Sequence, residues 1–581
     1  MSEMMSGFVL PPGLILILGA FILPLVEGRL RYALLLLLPV LTLLMIWMIP
    51  QDSAAVFGFM DYELEPMHST PEGRLFATIF AVMAFTGGLY ALNKATVLEL
   101  SAAFFYAGSA IGVTFAGDLI TLFIYWEMMA LGSTLVLWAN TQPQPAIDGS
   151  GKPRPGNPKA YGASMRYLLV HLFGGVVLMA GIVAYVYETG SIQFVVMQPD
   201  SLGTWLIMAG FLINAGAPPL SAWIADAYPE ASPSGTVFLS AFTTKTAVFT
   251  LLMGFPGAEI LIYIGLYMVF YGIIYALLEN DMRRILAYSI VNQVGFMVTA
   301  IGVGSELALD GAAAHAFAHI IYKALLLMSA GSVLMMTGKR KCTDLGGLFQ
   351  TMPVTAITGI IGALAISSFP FTSGFVTKSL EPSAAAFEGM VWVWFLLLAA
   401  SAGVFLHAGI KFPWFVFFQK DSGMRPPDPD PHMKYAMWFF AFLCIGLGIF
   451  PEVLYGILPY ELTYNAYTLD HLVTQFQLLF FAGFAFFALL PMMKRTLTIS
   501  LDFDWFYRRF FKVVGREFTL KSNLIGHKTE MKIRGRINRV IDSLYEHHGP
   551  GGFLGKSWPS GSMVLWVAVL LACSLGLYYL R

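Results

Sequence analysis

The chain has 581 residues, of which 57% are hydrophobic and 12% are charged, and its mean hydropathy is +0.70. Soluble globular proteins carry about 25% charged residues, so this composition excludes a soluble protein and indicates an integral membrane protein. The three cysteines, Cys342, Cys444 and Cys573, lie far apart, which argues against a disulfide framework or a cysteine-ligated cofactor.

Apolar windows of about 20 residues, the length that crosses a hydrocarbon core as a helix, recur along the chain. Because alternating ten-residue strands are absent, the sequence predicts an all-α polytopic fold rather than an outer-membrane barrel. About sixteen transmembrane spans are predicted, near 7–26, 31–49, 74–92, 98–116, 119–138, 163–187, 203–222, 235–254, 258–279, 286–304, 309–337, 354–377, 391–418, 434–458, 472–492 and 562–580.

The loops between these spans differ in charge. Odd-numbered loops carry most of the basic residues, including Arg29, Arg31, Lys94, Arg154, Arg283, Arg284, Lys339, Arg340, Lys341 and Lys434. Even-numbered loops carry acidic residues, including Asp61, Glu63, Glu65, Glu188, Asp200, Glu306, Asp310, Glu381, Glu388, Glu461 and Asp470. By the positive-inside rule, the odd-numbered loops are predicted to be cytoplasmic and the N-terminus to lie outside.

Two predicted spans are interrupted in a similar way. The seventh contains Asn-Ala-Gly-Ala-Pro-Pro-Leu at 214–220, and the twelfth contains Ser-Ser-Phe-Pro-Phe-Thr-Ser-Gly-Phe at 367–375. A proline inside a helix removes a backbone donor and leaves carbonyl groups for water, side chains or ions. Breaks five spans apart suggest an internal repeat, and because five is odd, the two copies would have opposite orientations.

The eleventh span carries three titratable residues, His315, His319 and Lys323, at intervals of four residues. In a helix they lie on one face, and such residues within an apolar segment usually face a bundle interior or a water-filled path. The pattern therefore favours a proton or ion route over satisfied core histidines. Zinc is disfavoured because no HExxH glutamate or third ligand accompanies the two histidines.

Four further charges lie inside predicted spans: Glu127 in the fifth, Lys245 in the eighth, Lys378 after the break of the twelfth, and Lys411 late in the thirteenth. An isolated Glu127 is expected to be protonated or paired. Burial disfavours a charged lysine and a nearby carboxylate favours it, so movement of a partner can load or release a proton. Lys411 is interpreted as snorkelling to the cytoplasmic interface.

A basic segment with interspersed apolar residues, 502–546, follows the fifteenth span. It is too basic to span a bilayer, and it is predicted to form amphipathic helices on the cytoplasmic face, against lipid headgroups or a neighbouring subunit. A Gly-Pro-Gly-Gly sequence at 549–552 ends this segment before the last predicted span.

Several motifs between residues 75 and 420 resemble the antiporter-like subunits shared by Mrp-type Na+/H+ antiporters, respiratory complex I and related hydrogenases. They are Asp118-Leu119-Ile120 through Tyr125-Trp126-Glu127-Met128-Met129, Trp223-Ile224-Ala225-Asp226-Ala227, Leu239-Ser240-Ala241 through Lys245, His315 through Lys323 to Ala330-Gly331-Ser332, and Ser373-Gly374-Phe375 through Lys378. The resemblance implies a core of fourteen helices with two inverted five-helix repeats and broken seventh and twelfth helices. The predicted segments are N-terminal helices 1–97, repeats 98–254 and 258–418, C-terminal core helices 434–492, the amphipathic segment 502–546 and the final helix 562–580.

The resemblance also implies roles for the buried charges. Glu127 and Lys245 would belong to one half-channel, His315, His319 and Lys323 to the central axis, and Lys378 to the second half-channel, with Asn214, Asp226 and Lys411 as accessory positions.

The chain departs from the family at one position that matters for this route. The family normally has a lysine nine residues before the tryptophan of its Trp-Leu-Pro-Asp motif, where this chain has Asn214, and Ala225 replaces the proline of the motif. Asparagine hydrogen-bonds but cannot carry a proton charge. Either Lys245 takes over as the partner of Glu127, or this half-channel is altered or inactive.

The function implied is a proton-translocating subunit of a multi-subunit Na+/H+ antiporter in the bacterial cytoplasmic membrane, most similar to the D-type subunit of Mrp antiporters. The alternatives are a proton-pumping subunit of a complex I-type NADH:quinone oxidoreductase or hydrogenase, whose long-tailed subunit the C-terminal extension resembles, or a coupling subunit of an inorganic-carbon transporter. The expected partners are other membrane subunits, lipid, protons and Na+, with no nucleic acid. Because Rossmann, haem and iron–sulfur motifs are absent from the sequence, no cofactor is expected and any redox centre would belong to partners.

Overall fold

The computed structural model describes residues 10–147, 153–491 and 502–580. The first three residues of the first predicted span, 7–9, and the last residue of the fifteenth, 492, lie outside these ranges. The chain forms two compact units, one that extends to Asp504 and one that starts at Trp505.

Every predicted span corresponds to a helix. Thirteen helices in the described ranges are long and apolar enough to cross a membrane, and the three other predicted positions hold shorter apolar helices at Gly13–Leu25, Leu202–Ala215 and Pro353–Ile366. The all-α polytopic fold is therefore confirmed. In chain order the helices are α1 (Gly13–Ile22), α2 (Gly28–Met48), α3 (Pro71–Ala91), α4 (Val97–Thr114), α5 (Leu119–Ala139), α6 (Pro158–Thr189), α7 (Leu202–Ala215), α8 (Ala222–Ala227), α9 (Pro233–Ala241), α10 (Thr243–Gly254), α11 (Ile260–Leu278), α12 (Met282–Val303), α13 (Glu306–Thr337), α14 (Pro353–Ile366), α15 (Ser373–Lys378), α16 (Leu380–Phe387), α17 (Val391–Val404), α18 (Pro431–Ile449), α19 (Glu452–Tyr455), α20 (Leu469–Ala488), α21 (Phe511–His548) and α22 (Ser560–Tyr579).

The two predicted breaks are present between α7 and α8 and between α14 and α15. At the first, Gly216 takes a left-handed φ of 84° and ends α7. The carbonyl groups released by each break find side-chain donors, since Trp223 Nε1 donates to Ile213 at 3.0 Å and Gln475 Nε2 donates to Ser367 at 3.3 Å. A bilayer interior tolerates interrupted helices only where such partners exist.

A third interruption was not predicted. The eighth span, expected to be continuous over 235–254, divides into α9 and α10 at Phe242, whose ψ of −68° departs from regular helix. Neither proline nor glycine occurs between 236 and 253 to mark this break in the sequence. The break at Phe242 places Lys245 in the first turn of α10. At this point backbone carbonyl groups of α9 lack intrahelical partners.

Two short hairpins also lie outside the predictions. β1 (Ala54–Phe59) pairs with β2 (Tyr62–His68), and β3 (Gln144–Ile147) pairs with β4 (Pro153–Arg154), each antiparallel. The first hairpin is attached to α5 by Asp118, the N-cap of that helix, which accepts 2.8 Å hydrogen bonds from the backbone N–H groups of Glu65 and Thr121. The hairpin thus fixes the start of the helix that carries Glu127.

The second unit contains α21, preceded by a π-helical turn at Phe506–Phe510, and the apolar helix α22. One continuous helix of 38 residues therefore occupies most of the predicted amphipathic segment. Its position on the cytoplasmic face stays a prediction.

The centre of the first unit is formed by α12 and α13, whose side chains are almost all buried. Helix α11 approaches α12 closely through small residues. A Cβ atom added at Gly265 would lie 2.4 Å from Thr299 Oγ1, and one added at Gly295 would lie 2.6 Å from the Gly265 carbonyl oxygen. Close packing of this kind is a main source of helix association in membranes.

We expect Gly265→Val to weaken this contact, because its side chain overlaps Thr299, and to lower stability by about 1–3 kcal/mol. Gly446→Val in α18 is the matched control, since a Cβ there meets nothing within 4 Å. The melting temperature of each purified variant measures the effect. Equal melting temperatures for the two valine variants would contradict the packing argument.

Candidate functional site

His315 lies at the centre of a buried hydrogen-bonded group. Its Nδ1 is 2.8 Å from Glu381 Oε1, and its Nε2 is 2.8 Å from the Tyr322 hydroxyl and 3.2 Å from Gln293 Oε1. The His315 and Glu381 side chains are both 0% exposed. A histidine held at both nitrogens by titratable and polar groups can accept or release a proton without leaving its place.

The prediction that Glu381 lies in an even-numbered exterior loop is wrong, because its side chain is buried inside the bundle. The break before α15 lets the chain continue inward through α15 and α16, so Glu381 lies one turn beyond Lys378 inside the bundle. The sequence places it at the apparent end of a span, which is why its burial was missed.

His319 and Lys323 continue along α13. The His319 ring lies 6.1 Å from the His315 ring and 5.2 Å from the Tyr322 ring, and neither of its nitrogens has a hydrogen-bond partner among the described residues. Lys323 Nζ donates to Ser289 Oγ at 2.8 Å and to the Leu286 carbonyl at 3.4 Å. The stripe predicted from the four-residue spacing is therefore buried against α12.

Lys378 approaches the same group from α15. Its Nζ is buried and lies 4.4 Å from the centroid of the Phe296 ring, a cation–π distance, with no hydrogen-bond acceptor in the described part of the chain. Oε2 of Glu381 is also buried without a partner. A water molecule is the natural partner for such buried polar atoms.

Lys245 is fully buried at the break between α9 and α10. Its Nζ donates to the Ser240 carbonyl at 2.8 Å and to Thr244 Oγ1 at 3.1 Å. The broken helix therefore supplies the acceptor for this lysine, as the interrupted backbone requires.

Glu127 lies on α5 against α6. Its Oε1 atom is buried without a partner and would lie 1.9 Å from a Cβ atom at Gly175, so the carboxyl group packs directly on this glycine. The ion pairs among the described residues do not join Glu127 to Lys245. The structure thus gives no support to Lys245 as a direct partner of Glu127.

The three accessory positions have defined contacts. Asn214 Oδ1 is 2.8 Å from Nδ1 of His171, a buried residue of α6 that the sequence analysis did not select. Asp226 accepts two hydrogen bonds from Arg166, at 2.6 and 2.9 Å. Lys411 is 3% exposed.

Lys411 is buried against the end of the ninth predicted span. Its Nζ donates to the carbonyl groups of Ala276, Leu277 and Glu279, at 3.1, 2.6 and 2.5 Å, at the C-terminal end of α11. A cation at a helix C-terminus interacts favourably with the free carbonyls and the helix dipole, which explains how this site accommodates a buried ammonium group.

A cluster of ion pairs holds the chain between α8 and α9, at the end of the bundle that carries the basic residue Arg340. Arg340 contacts Asp281 and pairs with Glu230 at 2.9 Å. Burial disfavours the charged Glu230 carboxylate, but the Arg340 guanidinium and hydrogen bonds from Arg340 and Asn157 hold the pKa of Glu230 below its ordinary value. The ionised Glu230 carboxylate, paired with Arg340, therefore fixes one end of the broken seventh span.

A family model matches the part of the chain that carries these residues. The family model described as "NADH:quinone oxidoreductase/Mrp antiporter, TM" matches residues 116–406, half of the chain. The chain is a member of this antiporter family. The match includes every residue selected above from Glu127 to Lys378.

Relatives in the antiporter family differ in size from this chain. A probable K(+)/H(+) antiporter protein of Rhizobium meliloti, an A/B-type subunit, is 26% identical over 409 residues, 66% of this chain and 39% of the relative. A Na(+)/H(+) antiporter protein of Alkalihalophilus pseudofirmus, a D-type subunit, is 29% identical over 335 residues, 52% of this chain and 64% of the relative. The chain therefore spans less than two thirds of either relative.

The fold is shared with a chain of a solved Mrp complex. A chain of the Mrp complex from Dietzia sp. DQ12-45-1b aligns with a TM-score of 0.64 and 19% identity, over 81% of this chain and 95% of that one. At this identity the likeness supports the antiporter-like fold.

We expect Glu381→Leu to lower the free energy of unfolding by about 1–3 kcal/mol, because it leaves the buried Nδ1 of His315 without its partner. Glu381→Gln is the matched control, since it has the same length and keeps an acceptor oxygen. Thermal unfolding of the purified variants measures the difference. A leucine variant as stable as the glutamine variant would contradict the contact.

Proposed function

We propose that the chain is a proton-translocating subunit of a multi-subunit antiporter that exchanges protons for Na+ or another monovalent cation. The observation that carries this proposal is the buried series of titratable side chains, here named the central row, formed by Lys245, His315, His319, Lys323, Lys378 and Glu381. Membership of the antiporter family supports it.

The charges of the central row do not balance. Three lysines and two histidines accompany one buried carboxylate, Glu381. Like charges in a low-dielectric interior disfavour one another, so these groups cannot all be protonated together. The row therefore holds fewer protons than it has sites, and adding a proton at one end favours release at the other.

The proton route runs across the bundle. Lys245 receives protons from the first half of the chain, where Glu127 lies on α5. His319 and Lys323 transfer them along α13, with water between side chains that do not touch. Lys378 and Glu381 form the second end, and a cation that enters near the carboxylate would displace a proton by repulsion.

Two observations favour a role like that of the D-type subunit of Mrp antiporters. Lys378 occurs in Ser-Gly-Phe-x-x-Lys, the pattern on which the resemblance to that subunit rests. The D-type relative, which is named as part of a Na(+)/H(+) antiporter, supports Na+ as the exchanged ion. The charge of the loops favours a bacterial cytoplasmic membrane protein with its N-terminus outside.

The second candidate is a proton-pumping subunit of a complex I-type oxidoreductase. The 38-residue helix α21 and the membrane helix α22 favour it, because they resemble the tail of the long complex I subunit. The proteins that copurify with the chain distinguish the candidates: small antiporter subunits support the first, and quinone or hydrogenase subunits support the second.

We expect Lys323→Ala and Lys378→Ala each to abolish Na+-dependent proton movement in membrane vesicles that contain the whole complex. Each removes a protonatable group from the middle or the end of the central row, which no neighbour replaces. A pH-sensitive dye inside the vesicles records the exchange after a Na+ pulse.

Lys339→Ala is the control, because Lys339 is an exposed lysine in the loop after α13. The quantity of assembled complex is measured for all variants. Exchange at the wild-type rate in both Lys323→Ala and Lys378→Ala would refute the route.

A further inference from the structure

We propose that His171 carries protons between Glu127 and the central row, with Asn214 fixing the orientation of its ring. This inference rests on the proposed function and adds a proton-carrying site in the first half of the route. It follows from the placement of His171, its hydrogen bond, and the polar atoms on either side of it.

His171 is buried in the middle of α6. Its side chain is 1% exposed, and its ring contacts the rings of Tyr167 and Trp223, with centroid distances of 4.0 and 4.7 Å. These two rings leave the imidazole little freedom to rotate. A fixed ring presents each nitrogen in one direction.

The hydrogen bond to Asn214 selects the tautomer. Asn214 Oδ1 can only accept, so Nδ1 of His171, at 2.8 Å, carries the hydrogen and donates it. The neutral ring therefore keeps its lone pair at Nε2, which is buried without a partner. Nε2 is the atom that can accept a proton, and Asn214 is a positioning residue.

The carboxyl group of Glu127 reaches the same face of α6. It packs on Gly175, one helical turn from His171, and its Oε1 atom is buried without a partner. Asn214 Oδ1 lies beside the neighbouring Gly174, 3.5 Å from where a Cβ would be. Because Gly174 and Gly175 have no side chains, the Glu127 carboxyl group and the Asn214 amide can both pack on the α6 surface near the imidazole.

A series of hydroxyl groups extends from Tyr167, whose ring contacts His171, to Lys245. The Tyr167 hydroxyl donates to Ser133 Oγ at 3.0 Å and lies 3.3 Å from Thr243 Oγ1. Thr243 precedes Thr244, whose hydroxyl accepts a hydrogen bond from Lys245 Nζ at 3.1 Å. Hydroxyl groups and water between them supply the donors and acceptors that a proton needs over this stretch.

The proton balance is simple. A proton leaves the Glu127 carboxyl group, which becomes a carboxylate, and binds Nε2 of His171, which becomes an imidazolium. The imidazolium then releases a proton from Nε2, since the Nδ1–H group stays bonded to Asn214, and water carries it to the neutral amine of Lys245. Asn214 remains neutral throughout.

The test measures Na+-dependent proton movement in vesicles that contain the whole complex. His171→Gln keeps an amide donor for Asn214 but cannot be protonated. We expect it to lower the rate about tenfold or more, in line with the loss of a positioned proton carrier. Adding Asn214→Lys to this variant returns a protonatable group to the same place, and we expect a recovery of about tenfold.

A role for His171 in packing alone predicts no recovery with lysine, because lysine restores none of the ring contacts. His432→Gln, in a half-buried histidine near the start of α18, is the control for loss of a histidine. Wild-type exchange in His171→Gln, or a loss that Asn214→Lys does not reverse, overturns the inference. Failure of the wild-type complex to exchange Na+ for protons would instead refute the proposed function.

Discussion

The structure depends on one constraint: titratable groups in the interior of a membrane protein need partners that the lipid cannot supply. Helix α13 carries the largest set of them, and α12, α15 and α16 surround it with Ser289, Gln293, Lys378 and Glu381. Because these groups lie inside the bundle rather than toward lipid, the helices that carry them are the most deeply buried in the fold. The long apolar helices around them separate the row from the bilayer.

The helix breaks supply some of the partners that these buried groups need. An intact helix satisfies its own carbonyl groups, whereas an interrupted one releases some of them inside the membrane. Lys245 uses the Ser240 carbonyl at one break, and Trp223 uses the Ile213 carbonyl at another. The breaks therefore act as acceptor sites at places where the low dielectric would otherwise exclude a cation.

Sequence reasoning succeeded where one pattern contained the information. The four-residue spacing of His315, His319 and Lys323 predicted a buried helical stripe, and prolines marked two of the three broken spans. It missed the break at Phe242, which no proline or glycine marks, and it placed Glu381 in a loop. It also did not select His171, whose hydrogen-bond partner Asn214 lies 43 residues away in the sequence. Such contacts depend on tertiary packing, which local composition does not report.

Three buried lysines, Lys245, Lys323 and Lys411, differ in the number of hydrogen bonds that their amino groups donate. An ammonium group has three N–H donors and a neutral amine has two. Lys245 and Lys323 each use two acceptors, so they can lose a proton with their contacts intact and with little reorganisation around them. Lys411 donates to three carbonyl groups and would have to give up one of them on deprotonation. Deprotonation of Lys411 would therefore cost one of its contacts at the end of α11, whereas deprotonation of Lys245 or Lys323 would cost none.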